Sequence, residues 1–125
     1  MVSLAGRFGK HVILVTGSAS LRLSGYLGEI ETALVKEGFH LLQYPVIGEP
    51  SPALVDQIVL DSFSFQPEVV VAIGGGSVLD TGKAISAMLP IREPVIHYLE
   101  GVGTKKHPGT KVPFIAIPTT AGTGS

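Results

Sequence analysis

Three glycines and a serine, Gly74 to Ser77, directly follow an apolar stretch and precede a helical pattern. Backbone amides without neighbouring side chains, at the start of a helix, bind anions such as phosphate. Ser77 can cap this helix or donate its hydroxyl to the same anion. The spacing matches neither the GxGxxG dinucleotide fingerprint nor the GxxxxGK[ST] phosphate loop. A tight turn without a ligand is the alternative, but Asp80 and Lys83 on the next helical turns favour a phosphate site.

Apolar strands and amphipathic helices alternate along the rest of the chain. The predicted strands span 11–16, 39–44, 69–73 and 112–117, and most of their residues are apolar without alternation, as in strands buried on both faces. Apolar residues at helical spacing predict three helices, marked by Leu23, Leu27, Ile30 and Leu34, by Leu54, Val55, Ile58 and Val59, and by Ala84, Ile85, Met88 and Leu89. We expect Gly38 to end the first helix, Pro52 to lie early in the second and Pro90 to stop the third. Residues 90–111 are predicted to be mostly a surface loop, with one short turn near 95–100.

This alternation predicts an α/β fold: a doubly wound, mainly parallel sheet with helices on both faces, which is Rossmann-like. Ligands of such sheets bind beyond the carboxyl ends of the strands, where the strand order reverses. Three turns of small, polar or glycine residues fall at those ends: 17–20, 74–77 and 119–125. Their convergence indicates a nucleotide or phosphate site.

Composition excludes several classes of protein. The 125 residues suit one domain, and the 45% hydrophobic content supports a packed core. The net charge of −1, without a basic run, gives no indication of nucleic-acid binding. The absence of cysteine excludes a disulfide framework and a thiolate metal site. No apolar run is long enough to span a membrane, the N-terminus lacks a signal-peptide core, and we expect a cytoplasmic protein.

Two stretches carry a family resemblance. GGGSVLDTGKA at 74–84 and PFIAIPTTAGTGS at 113–125 resemble the iron-containing (group III) alcohol dehydrogenases. The likeness covers nearly the whole chain but only the N-terminal part of the family. It implies that residues 1–125 are a truncated NAD(P)-binding domain that lacks the helical, metal-binding C-terminal domain. The family transfers hydride between a small alcohol or aldehyde and NADP or NAD, with Fe²⁺ or Zn²⁺ polarising the substrate oxygen.

The resemblance also implies which residues hold the coenzyme. They are Gly17, Ser18, Ser51, Gly74, Gly75, Gly76, Ser77, Asp80, Lys83, Thr119, Thr120 and Thr123. The glycine turn and Ser77 match the pyrophosphate-binding loop, and Asp80 and Lys83 match positions near the nicotinamide. The threonines match a second loop on the adenosine and phosphate side, and Ser51 falls where the loop after the second strand meets the coenzyme.

Two departures from the family pattern affect these expectations. Members that prefer NAD often carry Asp directly after the first strand, where this chain has Gly17 and Ser18. Without a carboxylate there to repel a 2′-phosphate, NADP is favoured over NAD. The family's metal ligands are one Asp and three His of the C-terminal domain, whereas the histidines here are scattered, at positions 11, 40, 97 and 107. We therefore expect no catalytic or metal-binding residue in this chain and no turnover by the 125 residues alone.

Other functions stay open at this point. The chain can be a non-catalytic dinucleotide- or phosphate-binding module, including a flavodoxin-like one. It can also belong to a related enzyme of the glycerol dehydrogenase or dehydroquinate synthase kind. The expected partners are the dinucleotide, a small alcohol or aldehyde and, through apolar surface left uncovered, a second copy in a homo-oligomer; no nucleic acid or membrane is expected.

Overall fold

The computed structural model of the chain describes residues 9–17, 25–46, 51–91 and 112–118. Within these ranges one four-stranded sheet forms, and every neighbouring pair of strands is parallel. The strands are β1 (His11–Thr16), β2 (His40–Pro45), β3 (Val69–Gly74) and β4 (Phe114–Pro118). Their spatial order is β2-β1-β3-β4, so the chain passes β1 on its way from β2 to β3. This is the doubly wound α/β fold that the sequence predicts, in the flavodoxin-like strand order.

The described helices are α1 (Tyr26–Lys36), α2 (Pro52–Ser62) and α3 (Gly76–Met88). Gly38, with a φ of 88°, ends α1 in a Schellman motif, as the sequence predicts. Its amide donates to the Val35 carbonyl at 3.0 Å, and the Phe39 amide donates to the Leu34 carbonyl at 3.0 Å. None of the helices in the described part of the chain has the length and hydropathy needed to cross a bilayer.

The start of α2 is fixed by two adjacent residues. The Ser51 hydroxyl oxygen accepts a hydrogen bond from the Leu54 amide at 3.1 Å. Pro52 occupies the first helical position, where its missing N–H costs no hydrogen bond. A short 3₁₀ turn, Phe63–Phe65, follows α2 and leads into Gln66, whose φ of 55° lies in the left-handed region.

Helices cover both faces of the sheet. Leu34 of α1 packs on one face in a buried cluster with residues of β1, β3 and β4. Val55 and Ile58 of α2 and Ile85 and Met88 of α3 pack on the opposite face. All six residues of β3 are buried, because this strand lies in the interior of the sheet and has helices on both sides. Burial on both faces explains the unbroken apolar run in the sequence of β3.

Three strands differ from the sequence prediction at their ends: β2 spans 40–45 and not 39–44, β3 extends to Gly74, and β4 spans 114–118 and not 112–117. β2 begins one residue later than predicted, because Phe39 is used in the turn that ends α1. β4 begins at Phe114 instead of residue 112, and the Pro113 carbonyl before it accepts the Val70 amide at 2.9 Å. The predicted turn near 95–100 and the marker Leu23 lie outside the described residues.

The amino edge of the sheet, where the strands begin, is held by Glu68. Its Oε1 atom accepts hydrogen bonds from the Lys10 amide at 3.1 Å, the His11 amide at 3.2 Å and His11 Nδ1 at 2.9 Å. The bond from the His11 side chain, followed by those from the two amides, lowers the pKa of the Glu68 carboxyl. The His11 ring also stacks on His40 at 5.1 Å, and Lys10 Nζ donates to the Glu37 carbonyl at 3.1 Å.

Candidate functional site

The carboxyl ends of the strands meet at one edge of the sheet. Thr16, the last residue of β1, is paired in register with Pro45 of β2 and Ile73 of β3, and Gly74 is paired with Pro118 of β4. The chain leaves β1 toward β2 on one side, while β3 lies on the other side. The space beyond β1 and β3 is therefore the switch point at which doubly wound sheets bind ligands.

The glycine turn lies at this switch point. Gly74 ends β3, Gly75 is the N-cap of α3 and Gly76 is its first residue. The first amides of a helix have no partner inside the helix, and no side chain in the described part of the structure caps the start of α3. These amides and the positive end of the helix dipole make an anion-binding corner.

The three glycines have different reasons for lacking a side chain. A Cβ on Gly74 would lie 2.8 Å from Val78 Cγ2, so packing requires glycine there. Among the described residues, a Cβ on Gly75 or Gly76 would meet no heavy atom within 4 Å. Gly75 has extended backbone angles, φ −83° and ψ −168°, that any residue adopts, and Gly76 is helical. Neither the described neighbours nor the backbone conformation requires glycine at these two positions. Both residues are exposed, and without side chains they leave the amides accessible.

The polar residues predicted for this site lie on the exposed side of α3. Ser77 is the second helical residue and is exposed, so it lies at the turn but does not cap the helix. Asp80 and Lys83 are also exposed and, like Gly76, lie away from the sheet. At 1.5 Å of rise per residue they lie roughly 6 and 10 Å along the axis from Gly76. The structure therefore brings Ser77 to the glycine turn, with Asp80 one helical turn and Lys83 two turns away.

Gly17 is brought directly against the glycine turn. A Cβ on Gly17 would lie 3.2 Å from Val78 Cγ2 and 4.0 Å from the Gly74 Cα atom. Ser51 lies at the start of α2, where its hydroxyl oxygen is already used to cap the helix. The remaining predicted site residues lie outside the described residues; they are Ser18, Thr119, Thr120 and Thr123.

Comparison with known proteins identifies the family. The sequence pattern of the iron-containing alcohol dehydrogenases matches residues 1–125. The chain belongs to this family. It is 33% identical over 118 residues to an alcohol dehydrogenase of Thermococcus barophilus, a match that spans 90% of this chain and 31% of that protein. The chain thus spans about a third of the length of the curated relatives it matches.

Solved structures of the family have the same fold. The archaeal halo-thermophilic alcohol dehydrogenase ADH/D1 from a Red Sea brine pool aligns with a TM-score of 0.83 and 26% identity, over 93% of this chain and 31% of that one. Relatives differ in coenzyme. An NADPH-dependent butanol dehydrogenase of Clostridium saccharobutylicum is 29% identical over 94% of this chain and 30% of its own length. A probable NADH-dependent butanol dehydrogenase of Bacillus subtilis is 33% identical over the same shares.

The family's iron has no ligand set among the described residues. Those residues contain no group of three or more His, Asp or Glu side chains that could hold a metal ion. His11 and His40 lie at the amino edge of the sheet, at the opposite end from the glycine turn. His97 and His107 lie outside the described residues. The described part of this chain therefore does not fit the iron.

Three residues at or near the site are not singled out by the sequence. Thr16 is 1% exposed, and its hydroxyl has no hydrogen-bond partner in the described part of the structure. Val78 Cγ2 lies close to the Cβ positions of Gly17, which follows β1, and Gly74, which ends β3. Gly82 is a helix-interior glycine, which costs about 1 kcal/mol relative to alanine and can therefore signal close packing. A Cβ there would lie 2.8 Å from both Ala72 Cβ and Phe114 Cε1.

One further titratable group on β2 is perturbed. Burial raises the pKa of the Tyr44 phenol, and the negative charge of Asp61 raises it further. Tyr44 packs against the core cluster that α2 and α3 share. Its ring therefore acts mainly as core surface with a neutral hydroxyl.

Proposed function

We propose that this chain binds the diphosphate of NADP or NAD at the turn Gly74–Ser77 and forms the coenzyme-binding part of an alcohol dehydrogenase. The observation that carries the proposal is the open space over Gly75 and Gly76 at the uncapped start of α3. A dinucleotide supplies the doubly charged diphosphate that such a corner attracts. Family membership supports the same assignment.

The proposed coenzyme contacts start from the turn. The amides at the start of α3 donate to the diphosphate oxygens, and the Ser77 hydroxyl donates to the same group. We propose ribose contacts for Gly17 and Ser18, and a hydrogen bond from the Ser51 hydroxyl proton while the Ser51 oxygen caps α2. The remaining proposed contacts are Asp80 and Lys83 toward the nicotinamide, and Thr119, Thr120 and Thr123 in the second loop. The nicotinamide ring, when bound, supplies the hydride acceptor or donor.

We propose NADP as the preferred coenzyme. Gly17 places no carboxylate at the end of β1, so nothing there repels a 2′-phosphate. The NADPH-dependent and NADH-dependent relatives indicate that the family accommodates both coenzymes. The substrate class proposed from the relatives is a small alcohol or aldehyde. Because the described residues do not fit the family's iron, we also propose that these 125 residues alone do not turn over alcohol.

A titration of the chain with NADPH, NADH and FMN, followed by fluorescence, tests this function. We expect both nicotinamide coenzymes to bind, NADPH more tightly, and FMN not to bind. Gly76→Ala places a methyl in the proposed diphosphate path and should weaken NADPH binding by roughly tenfold, the effect of losing about 1.4 kcal/mol. Its unfolding midpoint should not fall, since no described residue would lie within 4 Å of that Cβ.

Gly28→Ala is the matched control, because Gly28 lies on α1 and a Cβ there also meets no atom of the described residues within 4 Å. It should leave NADPH binding unchanged. Binding of FMN alone would favour a flavodoxin-like module instead. Equal NADPH affinity in the chain with and without Gly76→Ala would remove the glycine turn from the site.

We further propose that the isolated chain self-associates. Two large apolar residues three positions apart at the end of α2, Leu60 and Phe63, are 73% and 48% exposed. Single exposed apolar residues are common, but exposed apolar residues at this helical spacing favour association. Leu60→Lys should shift sedimentation toward monomer. We keep the cytoplasm as the proposed compartment, since a cysteine-free sequence suits reducing conditions.

A further inference from the structure

Val78 occupies the space between the ends of β1 and β3. It is the third residue of α3 and is 6% exposed. Its Cγ2 atom would lie 2.8 Å from a Cβ on Gly74 and 3.2 Å from a Cβ on Gly17. One methyl group thus faces the positions at which side chains on both residues would begin.

This placement restricts position 17 specifically. Carbon atoms in good contact are about 3.5–4.0 Å apart, so a Cβ at 3.2 Å requires Val78 to yield by a few tenths of an ångström. Val78 has little room to yield, because it is buried in one core cluster with Val15 and Val46 and lies against Gly74. The backbone at position 17 itself accepts any residue, since its φ is not in the left-handed range. The restriction at position 17 therefore comes from Val78.

We propose that Val78 is a positioning residue that sets coenzyme preference through position 17, by keeping a carboxylate from the end of β1. The inference rests on the proposed function and adds a residue to it. An Asp at position 17 would repel the 2′-phosphate of NADP and accept hydrogen bonds from the 2′-hydroxyl of NAD. With Val78 present, such an Asp displaces the turn that binds both coenzymes. A change of preference therefore requires the residue at 78 to become smaller as well.

A double-mutant cycle tests this coupling. The variants are Gly17→Asp, Val78→Ala and the pair, with urea midpoints and the dissociation constants of NADPH and NADH measured for each. Gly17→Asp alone should lower the midpoint and weaken both coenzymes. In the Val78→Ala background the same change should lower the midpoint by less than half as much. The double variant should bind NADH, and its dissociation constant for NADPH should be roughly tenfold or more higher than that for NADH. Like charges placed together cost several kcal/mol.

The matched control replaces a valine of equal chemistry in the same core. Val55 of α2 is 4% exposed and belongs to the same cluster, but the contacts of a Cβ on Gly17 do not include it. Gly17→Asp combined with Val55→Ala should show neither the recovery of the midpoint nor the change of preference. Should an Asp variant fail to fold, Gly17→Ala measures the same steric coupling with a single methyl.

Three results would overturn the inference. Equal midpoint losses from Gly17→Asp with Val or Ala at position 78 would mean that Val78 does not restrict position 17. A full change of preference from Gly17→Asp alone would mean that Val78 is not needed. If the unsubstituted chain binds neither NADPH nor NADH, the proposed function fails and the specificity role of Val78 fails with it. In that case the urea midpoints of the four proteins still show whether Val78 restricts position 17, because they do not depend on coenzyme binding.

Discussion

Replacing Gly82 by alanine should destabilise this protein, although the same change stabilises most helices. A Cβ at position 82 would lie 2.8 Å from Ala72 Cβ and 2.8 Å from Phe114 Cε1. Phe114 is partly exposed and its ring can turn, but Ala72 is fully buried in the interior strand β3. To regain a contact of about 3.6 Å, α3 must move away from β3 by almost 1 Å.

The expected magnitude follows from two opposing effects. Overpacking a core of this kind costs about 1–3 kcal/mol. Alanine recovers about 1 kcal/mol of helix propensity relative to glycine. The net loss is therefore up to about 2 kcal/mol, or up to roughly 1 M in the urea midpoint for a protein of this size. Because the displaced helix carries Gly76 at its start, NADPH binding should weaken in the same variant.

Urea unfolding followed by circular dichroism measures the effect. Gly28→Ala is the control, since its Cβ would meet nothing within 4 Å in the described part of the chain, and it should raise the midpoint. Adding Ala72→Gly removes one of the two clashing atoms and should recover part of the loss caused by Gly82→Ala. A Gly82→Ala midpoint at or above that of the unsubstituted chain would show that α3 does not pack as closely on β3 as described.

Three other outcomes are expected. Because hydrogen bonds from His11 lower the pKa of Glu68, the Glu68 contribution to stability is present above the unfolded carboxyl pKa and is lost as the pH falls through the lower folded pKa. Glu68→Gln should therefore flatten the acid side of the stability–pH curve, and an unchanged acid limb would refute this. Gln66→Gly should raise the unfolding free energy by up to about 1 kcal/mol, because it relieves a left-handed φ of 55°; a loss measured by urea unfolding would contradict this. Ser51→Ala should lower it by about 1 kcal/mol in the same assay, through loss of the cap on the Leu54 amide, and an unchanged midpoint would mean that the cap is not used.

The fold could be predicted from the sequence because its signals are local. Buried parallel strands require unbroken apolar runs, as in β3, and helix ends require particular residues, as at Gly38 and Pro52. These predictions are confirmed. The order of the strands in the sheet has no local signal in the sequence, since it depends on which face of the sheet each connecting helix crosses. The sequence predicted a doubly wound sheet, and the coordinates add the order β2-β1-β3-β4.

The candidate site could be predicted only in part. The glycine turn was predicted as a unit, but its glycines serve different purposes: Gly74 makes room for Val78, whereas Gly75 and Gly76 leave the amides open. That distinction depends on where the Val78 side chain points, which no spacing rule encodes. The sequence does not predict the close packing at Gly17 and Gly82 either, because each faces a side chain from a different element of the fold.

The two ends of the sheet are fastened in different ways. At the amino edge, Lys10 and His11 bind the Glu68 side chain, and Lys10 reaches Glu37, so segments far apart in sequence are tied by polar side chains. At the carboxyl edge, the bond from the Val46 amide to the Thr16 carbonyl is a main-chain bond, and glycines end β3. Brief local opening should therefore begin at the carboxyl edge, and amide hydrogen exchange should be faster there than at the start of β3. A sheet held at one end can let its other end spread slightly around a large ligand without losing strand pairing.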